Sequence, residues 1–219
     1  MKAIFWDLDD TVLNTLPGRM DALRHTYERC VGGQVNPLEL WKSHRGGSLE
    51  ALGRQLIGDD WKRFSETYRD HYYNRQGPPP VAFDGVKEVL DEALESGLQM
   101  AIVTSKISWG AIDELERSGL LSYFRTVVGH DDVDHPKPDP DPIYEAMARL
   151  VIDDAEQVLF VGDSPADMLA ARNAGCPSVA AMWGALDPEV LIGTSPAFVA
   201  RTPKGVLQAL ESIAAERAR

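Results

Sequence analysis

The chain has 219 residues, of which 44% are apolar and 26% charged, and a formal net charge of −12. That length suits one large domain or a core with an insertion, and the composition suits a soluble globular protein with a packed interior. Acidity of this size argues against a nucleic-acid partner, since duplex affinity depends on neutralising phosphates with Lys and Arg, yet it allows a small phosphate ester held by a local field.

In chain order, Lys2 to Trp6 is predicted as a first strand that ends at Asp7. The acid at that point leaves no room for a signal-peptide apolar core. Runs such as Val158 to Val161 are too short to cross a bilayer. A cytoplasmic location without membrane contact is therefore expected. From about Pro17 to Pro80 the pattern is helical, with stretches at Met20 to Cys30, Leu49 to Ile57 and Trp61 to Asn74, and no convincing buried strand. Gly77-Pro78-Pro79-Pro80 closes this region with a stiff segment that cannot continue a helix.

Beyond it, predicted strands at Gln99 to Val103, Thr126 to Gly129, Gln157 to Val161, Ser178 to Ala181 and Phe198 to Ala200 alternate with helices. The helices are Val86 to Ser96, Trp109 to Ser118, Pro142 to Leu150, Pro165 to Ala174 and Lys204 to Arg217. Gly97, Gly119 and Gly175 each follow a helical run, where glycine stops a helix cheaply. This alternation predicts an α/β fold, a parallel sheet with helices on both faces. The expected division is a core of residues 1–16 and 81–219 and a helical subdomain of residues 17–80. Cys30 and Cys176 lack metal-ligand spacing and are expected as reduced, packed thiols.

Four short segments carry candidate chemistry. In Asp7-Leu8-Asp9-Asp10-Thr11, two carboxylates two positions apart follow a strand of a parallel sheet, where ligands bind. Such crowding suits Mg²⁺, which takes oxygen ligands and substrate phosphate, although an acidic turn would also close a strand. Thr104-Ser105 ends a second strand before a helix, where hydroxyls and N–H groups can hold phosphate oxygens. Ser105 or Ser108 could equally cap that helix. Lys137, between Pro136 and Pro138, has a fixed anchor point, though a lysine in such a loop is often a surface residue. Gly162-Asp163 ends a third strand. Asp167 lies in the first turn of the helix from Pro165, where the helix dipole also favours an acid.

These segments, in this order, resemble the four motifs of the haloacid dehalogenase superfamily. The resemblance covers essentially the whole chain and implies a Rossmann-like three-layer core with an α-helical cap inserted between the first and second motifs. It implies that Asp7 is a nucleophile and Asp9 a general acid–base. Mg²⁺ would be held by the Asp7 carboxylate, the Asp9 main-chain carbonyl and Asp163, with Asp167 nearby through water. Thr104 and Lys137 would hold the transferring oxygens, with Ser105 beside them. Asp10 stands where many relatives have glycine. The presence of Asp9 disfavours the dehalogenase branch, which lacks the second aspartate because halide needs no proton to leave.

Within the superfamily the chain looks most like phosphoglycolate phosphatases and related pyrophosphatases, through Ile102-Val103-Thr104-Ser105-Lys106 and His135-Pro136-Lys137-Pro138-Asp139-Pro140. Similar caps carry a loop that reads the leaving group. Arg45, in Ser43-His44-Arg45-Gly46-Gly47-Ser48, is the corresponding candidate for an anionic part of a small phosphorylated metabolite. A β-phosphoglucomutase-like enzyme and a non-catalytic binding module are the alternatives. The oligomeric state is expected to be monomer or weak homodimer.

Overall fold

A computed structural model describes residues 1–44, 48–74 and 80–217. It divides into two compact units, residues 1–14 with 79–219, and residues 15–78. The first unit holds β1 (Ala3–Trp6), β2 (Leu13–Asn14), β3 (Val81–Ala82), β4 (Gln99–Val103), β5 (Thr126–Val128), β6 (Val158–Gly162), β7 (Ser178–Ala181) and β8 (Phe198–Ala200). Helices α1 (Leu16–Cys30), α2 (Pro37–Ser43), α3 (Leu49–Ile57) and α4 (Trp61–Asn74) make up the second unit. The first unit carries α5 (Val86–Glu95), α6 (Ser108–Arg117), α7 (Asp141–Leu150), α8 (Pro165–Ala174), α9 (Pro188–Gly193) and α10 (Gly205–Arg217).

Six strands form a parallel sheet in the order β5-β4-β1-β6-β7-β8. This is the α/β, Rossmann-like architecture expected. β1 lies between β4 and β6, with Phe5 level with Ala101 on one side and Phe160 on the other. Side chains alternate across the sheet, so both faces need an apolar cover. Ile4, Trp6, Met100, Ile102, Leu159 and Val161 share one core with residues of α5, α6 and α10. Ala3, Phe5, Ala101, Val103, Val158 and Phe160 share the other with residues of α7 and α8. That double burial is why these strands read as unbroken apolar runs. Phe5, Trp6 and Phe160 are fully buried, each worth about 1.5–3 kcal/mol as a side chain taken from water.

The second unit packs α1, α3 and α4 around the buried Leu23, Leu52 and Phe64. Gly53 allows the close approach of α3 and α4, because a Cβ there would lie 3.2 Å from the Trp61 carbonyl oxygen and 3.3 Å from the Phe64 Cβ.

Several boundaries differ from expectation for local reasons. α1 starts at Leu16, ahead of Met20, because Pro17 fits the first turn of a helix. α6 starts at Ser108 with Ile107 at its N-cap, so Ser108 is a helical residue and not the cap. Asp131 does the capping from across the chain, accepting from Ser108 N at 2.7 Å and from Ser108 Oγ at 2.9 Å. Two short helices were not expected. The Asn36 side chain caps α2 and the Asp187 side chain caps α9, each ahead of a proline, but neither helix is long enough to show a period. The β2–β3 pairing, two residues a side, is likewise too short to read as alternation. Among the described residues, no helix is long and apolar enough to cross a membrane.

Candidate active site

The site is assembled where β1, β4 and β6 end. The pairing of β1 with β6 runs on past Trp6, with Asp7 N donating to Val161 O at 2.8 Å. Asp7 is 6% exposed. Lys137 reaches it from the loop before α7, with Nζ donating to Asp7 Oδ1 at 2.7 Å, Asp167 Oδ1 at 2.5 Å and Val103 O at 3.0 Å. Its side chain is only 2% exposed. An ammonium group so far from water is tolerable only with acceptors of this kind around it, so Lys137 is not the surface residue that its loop also allowed.

Asp167 serves two purposes at once. Its Oδ2 accepts from Ser164 N at 3.0 Å and Ser164 Oγ at 2.6 Å, closing a capping box at the start of α8. Its Oδ1 meets Lys137. Gly162 makes room for this, since a Cβ there would fall 2.4 Å from Asp167 Cβ. Gly162→Ala is expected to cost about 1–3 kcal/mol in chemical denaturation, the usual penalty for overpacking. By pushing Asp167 off Lys137 it should lower activity as well.

Asp163 follows β6, and its Oδ1 accepts from Thr11 Oγ1 at 2.8 Å. Thr11 is fully buried, and its main-chain oxygen accepts from Trp183 Nε1 at 2.9 Å. Between Asp9 and Thr11 the chain passes through a left-handed conformation, with φ +65° at Asp10. Glycine would adopt this conformation freely, and aspartate tolerates it better than most other residues. Gly184 supports the turn at very close range, because a Cβ there would lie 1.6 Å from the Asp10 carbonyl oxygen.

The electrostatics are crowded. Burial pushes Asp7 up to about 7, against the pull of Lys137 and with help from the charges on Asp167 and Asp9. Burial, then Asp7, Asp167 and Asp10, push Asp163 well above the usual carboxylate range, with the Thr11 hydrogen bond opposing. Burial works against the charge on Lys137, but Asp167 and Asp7 outweigh it and hold its pKa above the ordinary lysine value.

Carboxylate oxygens of Asp7, Asp163 and Asp167 lie within 4.8 Å of one another. The donors are all hard oxygens, the type Mg²⁺ accepts and soft metals do not. A divalent cation would also relieve the repulsion that raises Asp7 and Asp163. The residues therefore fit such an ion. Asp7 and Asp163 are the suitable direct donors, while Asp167, with both oxygens engaged by protein groups, fits a supporting position.

Thr104 is 2% exposed, and its Oγ1 accepts from Lys106 N at 3.1 Å. Ser105 next to it is exposed. Arg45 lies outside the described residues. Asp9 meets a group that sequence reasoning left without a role, its Oδ1 accepting from Lys106 Nζ at 2.9 Å. Lys106 in turn pairs with Glu114, which is 2% exposed. One signal was available in the sequence: Glu114 falls on the apolar stripe of α6 beside Ala111 and Leu115, where a charge demands a partner. Thr11 gave no comparable signal, because its partner lies 152 residues away.

The family model for haloacid dehalogenase-like hydrolases matches residues 4–181. The chain belongs to the haloacid dehalogenase-like hydrolase family. Among curated relatives, a Caldanaerobacter subterraneus protein described provisionally as pyrophosphatase PpaX is 34% identical, over 90% of this chain and 89% of its own length. The phosphoglycolate phosphatase of Vibrio vulnificus is 32% identical, over 91% of this chain and 92% of its own. Among solved structures, a haloacid dehalogenase-like family hydrolase from Streptococcus pneumoniae superposes with a TM-score of 0.84 at 25% identity, covering 96% of this chain and 98% of that one. As a member of this family the chain is an enzyme, and the cluster around Asp7 sits at the sheet edge where a parallel α/β fold places its ligands.

Proposed function

We propose that this hydrolase is a Mg²⁺-dependent phosphatase that cleaves a small phosphate monoester, of the phosphoglycolate kind, through an aspartyl-phosphate on Asp7. The observation that carries the reading is the buried group of Asp7, Lys137, Asp163 and Asp167. A buried carboxylate, an enclosed cation and a set of oxygen donors gathered at one point support a nucleophile and a metal site there. Asp7 attacks phosphorus and forms the new P–O bond as the bond to the leaving oxygen breaks. Asp9 gives that oxygen a proton, then takes one from the water that hydrolyses the acyl phosphate. Lys137 and the Thr104 hydroxyl hold the transferring oxygens, supplying positive charge and a donor where negative charge develops. Bound Mg²⁺, on Asp7, the Asp9 carbonyl and Asp163, would neutralise phosphate charge. The helical unit of residues 15–78 acts as the cap that selects the leaving group, Arg45 included. The enzyme works in the cytoplasm as a monomer or weak homodimer.

Inorganic pyrophosphate is the second reading, favoured by the identity to pyrophosphatase PpaX of Caldanaerobacter. The deciding experiment is phosphate release from a panel of small esters and pyrophosphate, with Mg²⁺ and with EDTA. Turnover abolished by EDTA and highest on a carboxylated ester supports the first reading. A maximum on pyrophosphate supports the second. Transfer between sugar phosphates without free phosphate would make the chain a mutase, and no turnover at all would leave a binding module.

Binding of the ion has its own test. Mg²⁺ is expected to raise the Tm, since it binds only the folded site. Asp7 holds its proton up to about pH 7, and that proton competes with the metal. The Tm increase should therefore be larger at pH 8 than at pH 6. An increase independent of pH would remove Asp7 from the ligand set.

A further inference from the structure

Lys106, Glu114 and Asp9 form a second charged group beside the Asp7 cluster. Lys106 stands in the turn between β4 and α6, and Glu114 is six residues beyond the start of α6. The side chains of Lys106 and Glu114 are 8% and 2% exposed. Lys106 Nζ donates to Glu114 Oε2 and to Asp9 Oδ1, the latter at 2.9 Å. Its main chain is pinned at both ends, with N donating to Thr104 Oγ1 at 3.1 Å and O accepting from His130 N at 3.1 Å.

This arrangement is stiff for a reason. A lysine side chain normally keeps its ammonium group in water and loses considerable rotamer freedom when it is fixed. Here Glu114, carried by a helix whose Ala111 and Leu115 are fully buried, draws the ammonium group inward. The cation then lies between a carboxylate fixed by packing and the carboxylate of Asp9.

We propose that Lys106, anchored by Glu114, is a positioning residue that holds the Asp9 carboxyl group in the orientation from which it protonates the leaving oxygen. An ammonium group has donors only, so Oδ1 of Asp9 is committed as an acceptor and the transferable proton is directed to Oδ2. The role rests on the assignment of Asp9 as general acid, and it concerns the step in which the P–O bond to the leaving group breaks.

The test compares an alkyl phosphate, whose leaving oxygen needs a proton, with p-nitrophenyl phosphate, whose phenolate departs without one. Because kcat/KM covers only steps up to the loss of the leaving group, it isolates this chemistry from hydrolysis of the aspartyl-phosphate. Lys106→Met is expected to lower kcat/KM about 100-fold on the alkyl ester, within the range general acids supply, and less than about tenfold on the nitrophenyl ester. Lys106→Met/Glu114→Met, which leaves neither partner of that pair uncompensated, should show the same split if the single variant folds poorly. Equal losses on both esters, or none, overturn the positioning role while leaving the phosphatase reading intact. Wild-type protein inert on both esters with Mg²⁺ overturns the phosphatase reading and the positioning role together.

Discussion

Asp7→Asn is expected to lower kcat by about 10⁴–10⁶-fold, the scale seen when a nucleophile is removed from a covalent mechanism, and to leave the protein at least as stable as before. The amide keeps the shape of the side chain but has no anionic oxygen with which to attack phosphorus. It also removes one of the charges crowded against Asp167 and Asp9. The sign of the stability effect follows from proton binding. Burial raises Asp7 from 3.8 to about 7, so the folded metal-free protein holds a proton there that the unfolded chain has released. Stability from this group is therefore greatest at low pH and is lost as pH rises through about 7, by an amount on the order of a few kcal/mol. Metal-free Asp7→Asn should therefore gain on metal-free wild type in Tm as pH rises from about 4 to about 7, and keep that gain at higher pH. A variant that is inactive and destabilised at pH 8 would mean that Asp7 contributes to the fold and is not strained for function.

Lys137→Met carries the second large effect, and it moves stability and activity together. Lys137 is the cation that Asp7 and Asp167 share, and its side chain is almost wholly enclosed. Removing one member of such a group leaves charge buried without compensation, typically about 3–5 kcal/mol in denaturation. Activity should fall about 10²–10³-fold, as when a preorganised electrostatic donor is lost. The pH profile distinguishes these contributions. Lys137 pulls the Asp7 pKa down, so without it the acid limb of kcat/KM should move to higher pH. If the limb stays in place while the rate falls, Lys137 acts on substrate and not on Asp7.

How much of this was legible in the sequence depended on distance along the chain. Strand and helix periods gave the parallel sheet, because β1, β4 and β6 are buried on both faces and read as apolar runs. Motif order placed Asp7, Thr104, Lys137 and Asp163 at one edge of that sheet, since every strand of a parallel sheet points the same way. What could not be read were pairings chosen by tertiary packing. Nothing local shows that Lys137 meets Asp167, that Thr11 meets Asp163, or that Asp131 takes over the capping considered for Ser105 or Ser108. The turn at Asp10 was legible as a departure from glycine, and its left-handed backbone supplies the reason.

The close contact of Gly184 with Asp10, and of Trp183 with Thr11, has a consequence for synthesis. The segment bearing Asp7 and Asp9 is made before the residues that shape it, which are spread through the chain and end with 183 and 184. A nascent chain stalled after β6 already contains Asp7, Asp9, Thr104, Lys137 and Asp163, and still lacks the backing that sets the turn between Asp9 and Thr11. The geometry of that turn is therefore set only once 183 and 184 have been made and packed against it.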